Sequence, residues 1–152
     1  MMRAFARAIR LCGLLVFGGI LVTSVPAAAQ QTNIVVRNDR GGVIGQRADA
    51  INRIRALRQR VEIRGPICLS SCTMYLGAGD VCVDPNATLG FHGPSSYGRP
   101  LTHADFEYWS EVIADHYPTQ LKNWFMTTAR HRITGYYKVS GVQLIRMGIA
   151  QC

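Results

Sequence analysis

The N terminus constrains this chain most, because it decides how much of the sequence is left to fold and in which compartment. Three arginines, the apolar stretch "LCGLLVFGGILV" (Leu11 to Val22) and the segment "SVPAAAQ" follow one another within the first thirty residues. This is the order found in secretory signal peptides, with Ala27 and Ala29 as the small residues before the cut. The apolar run is shorter than the roughly 20 residues of a membrane span. The sequence therefore predicts a signal peptide at 1–29, a periplasmic or secreted bacterial protein, and no stable membrane anchor after cleavage.

The remaining residues, 30–152, are enough for one modest domain with a single core. The leader carries three of the 17 basic residues, so the mature chain has 14 basic and nine acidic residues and a net charge of +5. Much of this charge lies in "RADAINRIRALRQRVEIR", where arginines alternate with Ala48, Ile51, Ile54 and Leu57. This spacing predicts an amphipathic helix with a basic outer face. Because no aromatic residues are interleaved and the protein is exported, we interpret the face as solvated and predict no nucleic-acid partner.

Four cysteines remain after cleavage: Cys68, Cys72, Cys82 and Cys152. An even number in a small exported domain favours disulfides, in one of three pairings that the sequence alone does not distinguish. A zinc site from the first three cysteines and His92 is disfavoured, because the spacing is loose and no paired histidine motif accompanies it. The first pair is separated as C-x-x-x-C, so it is not a C-x-x-C redox motif. Neither a metal nor a cofactor is predicted.

One pairing is favoured by the predicted elements. Cys68 lies on the loop entering a short predicted helix, and Cys82 lies on the strand that follows this helix. A Cys68 to Cys82 bridge would fix the loop and close a short ring. Cys152 remains an alternative partner for either cysteine.

The order of the predicted elements indicates an α/β domain. "TNIVVR" (32–37) is typical of a buried strand, and the glycine-bearing turn 38–45 leads into the basic helix. Strands are also predicted at 61–64, 81–83 and 88–91, and a short helix at 71–76. Further helices are expected after Thr102, from Pro118, and near the C terminus, where Ser140 and Gln143 match a capping box.

Taken together, several short motifs resemble the Clp protease proteolytic subunit and its crotonase-fold relatives, in particular small exported bacterial proteins with a C-x-S-x-C stretch. These motifs are "DRGGVI" at 39–44, Ser71 followed by "CTMYLGAG", and "DPNATLGFHGP" at 84–94, with helices beyond. They occur in the family's order over roughly 33–149. The resemblance implies a fold of repeated strand-strand-helix units, shortened at its N terminus.

The resemblance also implies a site. The family's nucleophile falls on Ser71, although Ser70 is adjacent, and its general base falls on His92. The oxyanion hole falls on the backbone N–H groups of Gly42 and Cys72. The chemistry agrees, because a hydroxyl needs a neighbouring base, and the charge that develops on a carbonyl needs waiting donors.

The chain departs from the family in two ways. The family's catalytic aspartate should fall near Tyr136 or Tyr137, where no carboxylate stands, and the acids after His92 all lie on one predicted helix: Asp105, Glu107, Glu111 and Asp115. The strand-and-helix unit that precedes the first glycine turn in the family is also missing here. We therefore expect an exposed sheet edge that needs a cover or a partner, which leaves a homo-oligomer open.

Two functions of different classes follow. The first is an exported serine hydrolase, a peptidase or esterase, with a peptide or ester substrate and weak activity because the aspartate is missing. The second is a non-catalytic exported domain, a pseudoenzyme that retains the scaffold as a binding or structural module. An acyl-CoA enzyme is disfavoured because its substrate is cytoplasmic. Fold alone does not choose between the two functions.

The leader yields the first testable prediction. The mature protein should begin at Gln30, because the basic start, apolar core and Ala-x-Ala segment together specify cleavage after Ala29. Intact mass spectrometry of the exported protein measures this directly. Recovery of a species that retains Met1 in the membrane fraction would contradict it.

Overall fold

The computed structural model describes residues 32–152, so the predicted signal peptide (1–29) and the predicted first residue Gln30 lie outside the described residues. Short strands alternate with helices here, as expected for an α/β protein. The strands are β1 (Ile34–Val36), β2 (Val61–Ile63), β3 (Ile67–Leu69), β4 (Val81–Val83), β5 (Thr88–Phe91), β6 (Tyr137–Ser140) and β7 (Ala150–Gln151). The α-helices are α1 (Ile44–Ala56), α2 (His103–Ala114), α3 (Thr119–Thr127) and α4 (Gly141–Arg146). Two 3₁₀ helices complete the described part: Ser70–Gly77, called the serine helix below, and Ala129–His131.

The strands form two sheets. The first has the order β1-β2-β4-β7 and is parallel throughout. In the second, of order β3-β5-β6, β3 and β5 are parallel while β5 and β6 are antiparallel. Strand β1 lies at the edge of its sheet, and Val35 on it is 45% exposed. The expected strand is therefore present as an edge strand, and only Val36 of its three residues is buried.

One hydrophobic cluster joins both sheets to the helices. Helix α1 contributes Ile51 and Ile54, on the apolar face that its sequence spacing predicts, and it packs against the serine helix and α2. Phe91 at the end of β5 meets Tyr117 and Trp124 edge-on, with ring centroids 5.6 and 5.5 Å apart. The core thus surrounds the segment in which β3, the serine helix and β5 meet.

The C-terminal helix confirms a local prediction. Ser140 caps α4 by accepting a hydrogen bond from the Gln143 backbone N–H, and the Gln143 side chain accepts one from the Ser140 N–H. Three strands were not predicted: β3, β6 and β7. Each pairs with a strand far from it in the sequence, β3 and β6 with β5 and β7 with β4.

All four mature cysteines are in disulfides, but the favoured Cys68 to Cys82 pairing is wrong. Cys68 is bonded to Cys72, and Cys82 is bonded to Cys152. The reason is topological. Cys68 and Cys82 lie on strands of different sheets, whereas β4 pairs with β7 and so places Cys82 beside the chain end, with Cα atoms of Cys82 and Cys152 4.9 Å apart.

Within the described residues, no helix has the length and apolar character needed to cross a bilayer.

The backbone at Gly93, just after β5, lies very close to the backbone of Arg130 and Arg132, and this contact yields a stability prediction. The Gly93 N–H donates to the Arg132 carbonyl at 2.8 Å, and a Cβ at Gly93 would collide with the Arg130 carbonyl oxygen. Since this neighbour is backbone, Gly93→Ala should lower the free energy of unfolding by about 3 kcal/mol or more. The matched control is Gly45→Ala, whose Cβ would lie 3.5 Å from the Trp109 ring and which should stabilise helix α1 by up to about 1 kcal/mol. Urea denaturation measures both, and equal stabilities would contradict the packing described here.

Candidate functional site

The candidate site is built around the turn from β3 into the serine helix. Leu69 has the extended backbone of a strand, whereas Ser70 begins the helix and has a φ of +58°. A positive φ is uncommon for a residue with a side chain and persists where the surroundings enforce it. The Cys68–Cys72 disulfide spans this turn, and both cysteines are fully buried. The turn therefore holds the backbone of Ser70 in a conformation that an isolated chain would seldom adopt.

The buried hydroxyl groups of Tyr117 and Thr73 form a chain of hydrogen bonds that ends at the Ser70 carbonyl of the same turn. Thr73 Oγ1 donates to the Ser70 carbonyl oxygen at 2.7 Å and is 2.6 Å from the Tyr117 hydroxyl oxygen. Because a threonine hydroxyl has one hydrogen, Tyr117 must be the donor in the second bond. Burial raises the pKa of Tyr117, which keeps this phenol protonated and able to donate.

Ser70 is hydrogen-bonded to His92. The distance from Ser70 Oγ to His92 Nε2 is 2.8 Å. The pairing of β3 with β5 explains this contact, since the two strands are parallel and both residues follow their carboxyl ends. Gly90 contributes space, because a Cβ there would lie 2.5 Å from Leu69 Cδ2. Two short parallel strands thus bring a hydroxyl and an imidazole to one edge of the sheet.

The second ring nitrogen of His92 has no acidic partner within residues 32–152. Nδ1 is buried and has no hydrogen-bond partner within residues 32–152. The ring instead packs edge-on against Tyr136, with centroids 5.2 Å apart. Burial lowers the pKa of His92, and a weaker interaction with the Gly93 backbone acts in the opposite direction. Burial therefore favours the neutral imidazole, which is the form that accepts a proton.

The four acids of α2 and its end do not reach the site. Glu107 pairs with Arg130 at 2.8 Å, Asp115 pairs with Lys122 at 2.7 Å, and Asp105 accepts from Thr102. Glu111 does not line the cleft that holds Ser70 and His92. Tyr136 therefore stands beside His92 where the family resemblance leads one to expect an aspartate.

The two serines of "CLSSC" are placed differently from the prediction. Ser71 is 3% exposed, and its Oγ is buried with no hydrogen-bond partner among the described residues. The geometry therefore pairs the predicted base His92 with Ser70 instead of Ser71. The difference of one residue arises because β3 ends at Leu69 and the helix begins at Ser70, one residue before the predicted start.

The predicted oxyanion donors shift in the same way. Gly42 lines the cleft, as does Ser71, whereas Cys72 is fully buried and does not line it. Ser71 lies in the first turn of the serine helix, where backbone N–H groups lack intrahelical acceptors. Gly42 and Ser71 both line the cleft beside Ser70, so their backbone N–H groups replace those of Gly42 and Cys72 as the candidate oxyanion donors.

The cleft has a volume of about 760 Å³. Most of its wall is apolar or aromatic and comes from the start of α1, from α2 and from the loops beside them: Val43, Ile44, Leu101, Trp109, Ile113, Tyr117 and Tyr136. Of the described lysine, arginine and acidic side chains, only Arg40 lines it. Such a cleft accommodates an apolar group of a small molecule or peptide beside the Ser70 hydroxyl.

Residues 32–152 contain no group of three histidine, cysteine or acidic side chains positioned to hold a metal ion. The cysteines of the disfavoured zinc set have their sulfur atoms in disulfides, and disulfide sulfur is not the thiolate that zinc requires. The polar groups at the cleft include the Ser70 hydroxyl and the His92 imidazole.

Two contributors were not found from the sequence. Tyr117 lies 44 residues after Thr73, and Asp39 lies in a turn where an acid is ordinary. The Tyr117 contact joins distant segments, which no local pattern indicates, whereas the Asp39 side chain binds Gly41 and Arg47 nearby in the sequence.

Comparisons with known proteins add no family assignment: no protein-family model matches the chain, and no curated protein matches it.

Proposed function

We propose that this chain is an exported serine hydrolase that cleaves peptide or ester bonds, with Ser70 as nucleophile and His92 as general base. The observation that carries the proposal is the 2.8 Å hydrogen bond between Ser70 Oγ and His92 Nε2 beside a cleft. Ser70 takes the role that the family resemblance gives to Ser71, because only Ser70 contacts the base. The mixed α/β fold and the order of the glycine turn, serine helix and "FHGP" segment support a fold like that of the Clp protease subunit.

The reaction follows from these contacts. Ser70 Oγ attacks the substrate carbonyl carbon while its proton moves to His92 Nε2. The carbonyl oxygen becomes an oxyanion and is stabilised by the N–H groups of Gly42 and Ser71. The protonated His92 then gives its proton to the leaving amine or alcohol. In the second half of the reaction, a water molecule attacks the acyl carbon and gives its proton to His92, and His92 returns a proton to Ser70 Oγ as the acyl group leaves as an acid.

The missing acid sets the expected rate. Accepting a proton at Nε2 requires His92 to carry its hydrogen on Nδ1, yet Nδ1 has no acceptor within the described residues. In a serine protease, loss of the aspartate function costs about 10⁴ in turnover while the oxyanion hole still leaves measurable catalysis. The proposed enzyme is accordingly slow.

The cleft supports a substrate class. Its apolar wall, including Trp109, Ile113 and Tyr117, is suited to a bulky apolar group on the acyl side of the scissile bond. The leader pattern and the two disulfides support action outside the cytoplasm.

One observation favours the second candidate, a binding module without catalysis. Nδ1 has no hydrogen-bond partner among the described residues, and desolvation of His92 outweighs the interaction with the Gly93 backbone that would favour the imidazolium formed in turnover. In this alternative the same cleft binds an apolar segment without cleaving it.

Covalent labelling distinguishes the two candidates. A fluorophosphonate probe should label the mature oxidised protein slowly, because it reacts with an activated serine hydroxyl. Labelling should vanish in Ser70→Ala and fall at least about a hundredfold in His92→Ala, since a general base contributes roughly 10² to 10⁴. Ser71→Ala is the matched control: it changes the neighbouring serine and should label at the unmodified rate. A folded sample that takes no label would leave only the binding module.

The pH dependence of labelling tests the base. Because burial lowers the pKa of His92 below its usual 6.5, the neutral ring that accepts the Ser70 proton is the main form at pH 6.5 and its share increases as the pH rises. The labelling rate should therefore be level from about pH 6.5 to 8 and fall as the pH drops further and His92 becomes protonated. Circular dichroism at each pH confirms that the fold persists. A midpoint above 6.5 would show that another group controls the reaction.

A further inference from the structure

We propose that Asp39 is a positioning residue that fixes the backbone of the glycine loop (residues 39–42), and thereby the Gly42 N–H, against the Ser70 turn. The inference rests on the proposed function, because it assigns Gly42 N–H a role in binding the oxyanion. It adds a residue outside the serine, histidine and backbone donors.

Both carboxylate oxygens of Asp39 are used. Oδ1 accepts a hydrogen bond from the Gly41 N–H at 2.7 Å, and Oδ2 accepts one from Arg47 Nη2, also at 2.7 Å. An aspartate that binds the amide two residues later closes a turn in its own backbone. Because the acceptor is charged, this bond is stronger than a neutral one. The side chain of Asp39 thus holds the Arg40–Gly41 peptide, which is adjacent to the peptide that carries the Gly42 N–H.

The glycine loop lies directly against the nucleophile. Gly41 has a φ of +92°, and a Cβ there would lie 2.6 Å from Ser70 Cβ and 2.8 Å from the Leu69 carbonyl oxygen. The Asp39 carbonyl oxygen also accepts from the Leu69 N–H at 2.8 Å. The side chain of Asp39 therefore holds the loop, and its backbone carbonyl connects the loop to β3.

Arg47 extends this connection to the serine helix. Its guanidinium binds Asp39 and lies over the ring of Tyr75 at 4.4 Å from the ring centroid. The side chains of Arg47 and Asp39 are only 15% and 21% exposed. The contacts run from the glycine loop through α1 to the helix that begins at Ser70, so both halves of the proposed oxyanion hole share one support.

The chain offers a matched control for the loss of an ion pair. Asp80 pairs with Arg60 at the same 2.7 Å, but it is 57% exposed and does not line the cleft. Asp80→Ala removes an ion pair with the same N–O distance and leaves the glycine loop unchanged. Any effect specific to Asp39 should therefore be absent from this variant.

The test compares fluorophosphonate labelling and Gly41 amide exchange in four variants of the mature oxidised protein. Asp39→Ala should slow labelling about ten- to a hundredfold. This is at or below the loss of about a hundred- to a thousandfold that removal of one oxyanion donor causes. Asp39→Asn keeps a side-chain oxygen for the Gly41 N–H and should stay within about fivefold of the unmodified rate. Arg47→Met keeps the Gly41 bond but frees the carboxylate, so it should slow labelling severalfold. Asp80→Ala should label normally.

Amide exchange followed by NMR reads the placement without activity. The Gly41 N–H should lose protection in Asp39→Ala and keep it in Asp39→Asn and Asp80→Ala. Labelling of folded Asp39→Ala at the unmodified rate would overturn the inference, as would unchanged Gly41 exchange. If Asp39→Ala does not fold, normal labelling in Arg47→Met has the same force.

The two proposals fail separately. An unmodified protein that takes no label defeats the proposed function, while the Gly41 exchange still decides whether Asp39 holds the loop. An unmodified protein that labels alongside an equally reactive Asp39→Ala defeats only the role of Asp39.

Discussion

The conformation of Ser70 is the constraint on which the site depends. A non-glycine residue at φ +58° costs on the order of 1–3 kcal/mol, so the surrounding contacts must impose it. The Cys68–Cys72 disulfide fixes the ends of the turn, Thr73 holds the Ser70 carbonyl, and Gly41 leaves room for the Ser70 side chain. This arrangement exposes the hydroxyl at the cleft while the neighbouring Ser71 points into the protein.

The second sheet explains why the base meets that hydroxyl. β3 and β5 pair in parallel, with Leu69 opposite Gly90, so the residues that follow them reach one edge together. Gly90 has no side chain, and Leu69 and Tyr136 occupy the space that a larger residue would take. The packing of Tyr136 then limits the movement of the His92 ring. The distance between Ser70 and His92 is thus a consequence of strand register and of one missing side chain.

The elements with strong local signals were predictable, and the site was predictable only in part. Helix α2 has Thr102 as its cap, and α4 has a complete capping box, because these bonds join residues close in sequence. The choice of Ser70 over Ser71 depends on where the three-residue strand β3 ends, and three residues carry too little period to show it. Likewise, the pairing of Cys82 with Cys152 depends on β7 lying beside β4, which is a property of the whole sheet.

The site is prepared for one of the two charges that acyl transfer creates. In the proposed reaction the backbone N–H groups of Gly42 and Ser71 would stabilise the oxyanion, and the bonds from Asp39 to the Gly41 N–H and to Arg47 support the glycine loop. The imidazolium, by contrast, forms in a half-buried setting where Nδ1 has no acceptor among the described residues and desolvation already opposes protonation. Leaving a buried donor unsatisfied costs about 1–3 kcal/mol even before it is charged. In the proposed reaction the positive charge on His92 is therefore less well supported than the negative charge on the substrate oxygen.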